Sequence, residues 1–302
     1  MTKLVVRNVA ASVRQRLLNL SRERGEGFDL IVTRYAIERV LYRLSQSAHR
    51  ERFVLKGATL FTVWSGAPHR ATHDLDLLGF GSNSPARLEQ LFRGLCTLDV
   101  VDDGLTFDAE TVKAAPIRDD NIYGGIRVTF VARLGTARIA LQVDVGFGDE
   151  IIPDPQELSV PTILDFPAPV LRAYAKETVV AEKFHAMTVL GMTNSRMKDF
   201  FDIAWLAEHF AFDGIQLGDA IRATFVRRAT ELPRELPLGL SREFSSEPAK
   251  QAQWRAFVRR INQPSESTLE EVVGRVAAFV GPVVIDEKRE RTWPPGGPWS
   301  AP

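Results

Sequence analysis

The segment Asp74-Leu75-Asp76-Leu77-Leu78-Gly79 constrains this chain more than any other. Side chains two apart on a strand project to the same face. An extended reading therefore places both aspartates together, with Leu75 and Leu77 turned the other way into a core. Two carboxylates on one face repel and oppose each other's ionisation unless a cation lies between them. Mg²⁺ takes oxygen ligands from one or two carboxylates, from phosphate groups and from water. Two solvated aspartates at a strand end are the plain alternative, so the surrounding segments bear on the choice.

Upstream, Phe53-Val54-Leu55 reads as a short strand that runs through Lys56-Gly57-Ala58-Thr59 into a helix over Leu60 to Trp64. Backbone N–H groups at such a helix start can approach a phosphate. Lys56 stands just before them, and Thr59 offers a hydroxyl. The alternative is a helix entered through a flexible glycine. Downstream, Ile126 to Val131 and Ile139 to Val145 alternate in polarity and flank the turn Leu134-Gly135-Thr136, which predicts a hairpin. Gln142 and Asp144 share one face of its second strand. If that strand lies beside the Asp74–Asp76 strand, three carboxylates gather around metal ions about 3.5–4 Å apart, the arrangement used for in-line phosphoryl displacement. Otherwise Asp144 simply ends a strand before a glycine turn.

The whole chain divides by pattern. Helices are expected over about residues 9–24 and from Leu30 to about 47, and a mixed α/β stretch follows to about 148. The prolines from Pro153 to Pro169 read as a linker. Helical periodicity then covers about 170–191, 195–210, 214–231, 246–261 and 267–280. The expected class is α/β (α+β). Its expected domains are residues 1–152, with the N-terminal helices and the core, and a helical domain over 170–290. The linker is 153–169, and the Pro/Gly-rich tail 291–302 is expected to be irregular.

With 302 residues, 45% of them hydrophobic, the chain can bury one large core or two modest ones. Its 38 basic and 38 acidic residues cancel. No global positive field therefore marks a nucleic-acid partner, while a local basic groove stays compatible with that balance. Cys96 is the single cysteine; near Phe92, Leu95 and Leu98 it reads as a core thiol. No secretory apolar region opens the sequence, and no stretch is long and apolar enough to span a bilayer. The expected location is the cytoplasm, without a membrane partner.

The helical half supplies cations. Lys183 follows Glu182 on a segment rich in apolar residues, where it forms either a surface ion pair with Glu182 or a contact to a triphosphate. Arg196-Met197-Lys198-Asp199-Phe200-Phe201-Asp202 starts the next helix, with Asp199 and Asp202 on one face. Together with Lys198 they make either an N-terminal charge cluster or a nucleotide-binding face. Arg222, Arg227, Arg228, Arg255, Arg259 and Arg260 are either solvated helix faces or an RNA path, with Trp254 and Phe257 available for stacking. The histidines His69, His73 and His185 have no zinc-site spacing. P-loop, Rossmann and Gly-x-Ser-x-Gly motifs are all missing from the sequence.

Four segments in order resemble the AbiEii/AbiGii family of nucleotidyltransferase toxins, which includes the MenT enzymes. They are Leu55 to Thr59 with Arg70 to Asp76; Gln142-Val143-Asp144; Ala181 to Ala186; and Arg196 to Asp202. The resemblance implies a polymerase-β-like nucleotidyltransferase core with a mixed sheet and a helical C-terminal domain. It makes Asp74 and Asp76 metal ligands for Mg²⁺ or Mn²⁺, Lys183 the essential lysine at the triphosphate, and Asp202 the essential late aspartate. Lys198 and Asp199 lie beside that aspartate, and Thr72 occupies a position near the phosphates. Where the family usually has Gly-Gly or Gly-Ser, this chain has Gly57-Ala58, which keeps a backbone donor and loses a hydroxyl. Asp144 is added from the strand pattern. The implied activity is transfer of a nucleoside monophosphate from an NTP to RNA, notably the 3′ end of tRNA, by a toxin that a cognate antitoxin neutralises. A small-molecule or protein acceptor, or a binding partner without catalysis, are the competing readings.

Overall fold

The computed structural model describes residues 8–67, 69–70, 72–117, 124–261, 267–285 and 290–301. Pro68 and Ala71, which precede the acidic pair, and Pro302 of the tail lie outside them. The chain divides into two units. The first runs to Gly148 and includes Gln156–Ala173; the second takes Asp149–Pro155 and continues from Tyr174.

In the first unit α1 (Val9–Arg24) begins where the Asn8 side chain accepts from the Ala11 amide at 2.9 Å, and stops at Gly25 in the left-handed region. α2 (Phe28–Gln46) buries most of its length against neighbouring elements. Then follow β1 (Phe53–Lys56), the short α3 (Thr59–Ser65), β2 (Asp74–Gly79), α4 (Pro85–Cys96, with proline at its first position), β3 (Leu105–Pro116), β4 (Ile126–Leu134) and β5 (Ala137–Phe147). Two further strands, β6 (Gln156–Ser159) and β7 (Val170–Ala173), complete a seven-stranded sheet ordered β3-β4-β5-β2-β1-β7-β6. It is mixed: β2 runs parallel to β5 and β1 parallel to β7, while the other neighbours are antiparallel.

The expected hairpin is present, closed by the two-residue turn at Gly135-Thr136 with Leu134 opposite Ala137. The proline-rich stretch departs from expectation. Within the expected linker 153–169 lies β6, which pairs with β7 just beyond it, and β7 adds to β1. Four residues between prolines suffice for a strand when a sheet edge supplies the partner, and so short a run carries no periodic signal.

A buried charge network holds this unit together. Asp103, 1% exposed, accepts from Arg39 Nε at 3.1 Å and from Arg43 Nη1 at 2.6 Å. Its backbone carbonyl accepts from the Tyr35 hydroxyl at 2.8 Å. Arg39 also donates to Glu38 and to the Pro167 carbonyl, and the Glu38 carboxylate accepts from the Ile163 amide at 2.7 Å. Burial pushes the Glu38 carboxyl up to about 7, against the opposing pull of the Ile163 hydrogen bond and Arg39. One helix thereby fixes both the entry to β3 and the segment between β6 and β7. Cys96 is half-buried, and desolvation raises its thiol to about 12, in keeping with an inert packing role.

The second unit is mostly helical: α5 (Lys176–Leu190), α6 (Met197–His209), α7 (Gly214–Arg227), α8 (Arg242–Ser246), α9 (Pro248–Ile261) and α10 (Leu269–Ile285). α5 packs on α6 and α7, and α10 packs on α6, α7 and α8. The expected irregular tail is instead tied down. β9 (Thr292–Trp293) pairs with β8 (Phe212–Asp213), Trp293 donates to the Ala207 carbonyl, and Trp299 stacks on Phe279 at 5.9 Å. Three aromatic side chains supply enough burial to order a segment whose composition alone reads as loop.

Asp103→Ala leaves Arg39 and Arg43 buried without their shared carboxylate. We expect a loss on the order of 3–5 kcal/mol in urea denaturation; a loss below about 1 kcal/mol would mean that water reaches these guanidiniums.

Candidate active site

β2 and β5 lie side by side and parallel, so that Asp74 is registered with Gln142 and Asp76 with Asp144. On the reverse face Leu75, Leu77, Val143 and Val145 are all 2% exposed or less. Alternation therefore leaves Asp74, Asp76 and Asp144 together on the other face, each half-buried, with oxygens within 4.8 Å of one another. Three hard oxygen donors at this spacing could hold a divalent cation.

Small residues shape the surroundings. The Thr72 hydroxyl donates to Asp74 Oδ1 at 2.7 Å and holds that carboxylate in one orientation. Gly57 has φ of 75°, and a Cβ placed there would lie 2.0 Å from Asp76 Oδ2. Its role is thus concrete: the turn after β1 passes so close to Asp76 that only glycine admits the carboxylate. Lys56 stands opposite Asp76 in the β1–β2 register. Ala58 is buried, and Thr59 is half-buried at the start of α3. A cavity of about 100 Å³ adjoins these residues, lined among others by Ala58, Thr59, Thr72, Arg34 and Arg70.

The third carboxylate has a partner that the sequence reading missed. Arg127 on β4 grips Asp144 with both prongs, Nε to Oδ1 at 2.9 Å and Nη2 to Oδ2 at 2.8 Å. The signal was present in the hairpin: once Leu134 faces Ala137, Arg127 falls opposite Asp144.

The remaining expected site residues belong to the helical unit. There Lys183 Nζ lies 2.6 Å from Asp199 Oδ1 and 2.9 Å from Asp202 Oδ2. Asp202 is fully buried and Asp199 nearly so. Lys183 therefore pairs with the next helix, whereas Glu182 accepts from the Tyr174 hydroxyl at 2.9 Å. Lys198 is exposed and is not brought into the Lys183 cluster. Trp254 and Phe257 are buried, 4% and 7% exposed, so the stacking role does not hold: both serve the core, and the Trp254 ring donates to the Ser267 carbonyl. Arg228 bonds to Asp149 at 3.0 Å and is mostly enclosed, whereas Arg255, Arg259 and Arg260 are exposed.

His185 is buried on α5 and bonds through Nε2 to Thr230 Oγ1 at 3.0 Å. Burial first, and the Arg228 cation second, push it down to about 4 from its ordinary 6.5.

The family model for the AbiEii nucleotidyl transferase toxin of type IV toxin–antitoxin systems matches residues 39–275, well over half of the chain. This chain belongs to the AbiEii family. Two solved structures resemble the AbiEii chain at low identity. One, described as a nucleotidyltransferase from H. pylori, is 14% identical with a TM-score of 0.49, over 84% of this chain and 94% of that one. The other, JHP933 from Helicobacter pylori, is 14% identical with a TM-score of 0.48, over 82% and 88%. No curated protein sequence matches the chain. No helix among the described residues is long and apolar enough to cross a membrane.

Two outcomes are expected. Gly57→Ala forces an L side chain into the left-handed region, at about 1–3 kcal/mol, and pushes Asp76 aside. Calorimetric titration should then show weaker Mn²⁺ binding, and unchanged binding would mean that Asp76 has room to move. His185 is neutral when folded and takes up a proton on unfolding below about pH 6.5. Its stabilising contribution is present above that pH and is lost as pH falls toward about 4. His185→Gln should flatten the slope of melting temperature against pH in that window, and an unchanged slope would assign the dependence to other groups.

Proposed function

We propose that this AbiEii toxin transfers a nucleoside monophosphate from an NTP to an RNA acceptor, the 3′ end of tRNA, in a reaction that depends on Mg²⁺ or Mn²⁺. The observation that carries the nucleotidyl-transfer reading is the cluster of Asp74, Asp76 and Asp144 on two registered strands, next to a cavity bordered by Thr59 and Thr72. A divalent ion at such a cluster offsets charge on the reacting phosphate and on the departing pyrophosphate. Asp74 and Asp76 would hold it, with Asp144 as the third donor.

The protein's own residues provide position. Thr72 fixes the Asp74 carboxylate through one hydrogen bond, and Gly57 leaves room for that of Asp76. Arg34 and Arg70 at the cavity bring positive charge to a ligand that is itself strongly anionic. The family resemblance assigns Lys183 to the triphosphate; within the helical unit Asp199 and Asp202 hold its ammonium in one place. Lys198 and Asp199, with Gly57, Ala58 and Thr59, complete the proposed nucleotide-binding set. The RNA acceptor rests on the resemblance drawn from the sequence motifs, and a cognate antitoxin as partner on membership in a toxin–antitoxin family.

The test is direct. Full-length protein is incubated with Mg²⁺, each labelled NTP in turn and total tRNA, beside Asp76→Asn. Label should appear on tRNA and fall by on the order of 10²-fold or more in the variant. Label on a protein or small molecule instead would replace the acceptor, and no metal-dependent turnover with any acceptor would end the enzyme reading.

A further inference from the structure

Asp144, the third of the clustered carboxylates, is gripped by a guanidinium. Arg127 stands directly across the β4–β5 ladder and satisfies both of its oxygens, at 2.9 Å and 2.8 Å. Gln142, on the same face and two residues earlier, reinforces the pairing. With its amide turned to suit its neighbours, its oxygen accepts from Arg127 Nε and Nη2, each at 3.2 Å. A guanidinium stays charged at any working pH, and its fork matches a carboxylate better than an ammonium does. Asp74, by contrast, receives the neutral Thr72 hydroxyl. The Asp144 side chain is 17% exposed and that of Arg127 is 42% exposed, so the cation has an open side toward which it can withdraw.

We propose that Arg127 is a built-in competitor of the divalent cation at Asp144. It holds the third carboxylate in the resting protein. It also lowers the affinity of the whole cluster, because an ion entering beside it meets a like charge and must displace two charge-assisted hydrogen bonds. Arg127 is thus a positioning residue that sets how many ions the cluster holds and how tightly. The inference rests on the reading that Asp74 and Asp76 bind a divalent ion.

The test is Mn²⁺ titration of the full chain, followed by electron paramagnetic resonance of free Mn²⁺ with no nucleotide present. The proteins are the wild type, Arg127→Met, Asp144→Asn, the double variant and Asp76→Asn. Arg127→Met should bind Mn²⁺ more tightly, on the order of tenfold. Asp144→Asn leaves the Arg127 guanidinium uncompensated and should weaken the wild type, but less than Asp76→Asn does, and the double variant should lose the gain. Arg127→Lys keeps the charge without the fork and should fall between wild type and Arg127→Met. It stands in as the test should the methionine variant fail to fold. The proposal is overturned if loss of the guanidinium leaves affinity unchanged or weaker, or if Asp144→Asn weakens the wild type as much as Asp76→Asn does. Mn²⁺ binding that ignores Asp76→Asn, or no binding by any protein, instead brings down the metal reading beneath it.

Discussion

The parallel pairing of β2 with β5 is the constraint on which the rest of the first unit turns. Its register is set on the face that carries no chemistry. Leu75, Leu77, Val143 and Val145 are all but completely buried there, with α2 packed on β5. A slip of one residue would exchange that apolar set for the carboxylates. Burying aspartates without partners costs far more than any hydrogen bond returns. The hydrophobic effect on one side of the sheet therefore aligns Asp76 with Asp144 on the other. The core thus brings together three carboxylates whose mutual interaction is repulsive.

Elsewhere buried charge acts as a connector. Asp103 ties two arginines of α2 to the start of β3, and Glu38 of the same helix receives the amide of Ile163. In the helical unit Lys183 joins α5 to the first turns of α6, while Asp149, from the short segment before β6, meets Arg228 at the end of α7. In each case a charged group fixes a place where the chain changes direction. An apolar contact tolerates sliding there, and a two-pronged ionic one does not.

Local periodicity made much of this legible. The Asp-x-Asp strand, the hairpin around Gly135 and the helices after Lys176 all follow from spacing within a dozen residues. Gly57 stands out in the sequence as the entry to a helix, and the structure adds a reason that the sequence hides, the close approach of Asp76. The features that stayed hidden depend on partners far along the chain. β6 and β7 are strands because a sheet edge is there to receive them, and Trp293 is ordered because Phe212 and Phe279 are. Asp103 reads as a loop aspartate until α2 is packed against it. Phe257 looks available on a helical wheel until α6 supplies Phe201 as a neighbour, and Trp254 until the Ser267 carbonyl reaches its ring. Arg127 is the intermediate case: its pairing with Asp144 follows from hairpin arithmetic, but only after the turn residues are assigned.

The division of the chain has a consequence for anyone who wishes to cut it. The polypeptide leaves the first unit at Gly148, spends seven residues in the second, returns for β6 and β7, and departs again at Ala173. Neither unit is a contiguous gene segment. A stop codon after Phe147 yields a five-stranded remnant whose β1 edge lies open, and a start codon at Tyr174 yields helices lacking the Asp149 segment that meets Arg228. Separate expression would require relinked termini, and exchanging one unit for another would require three breakpoints at once, at each place where the chain passes between them.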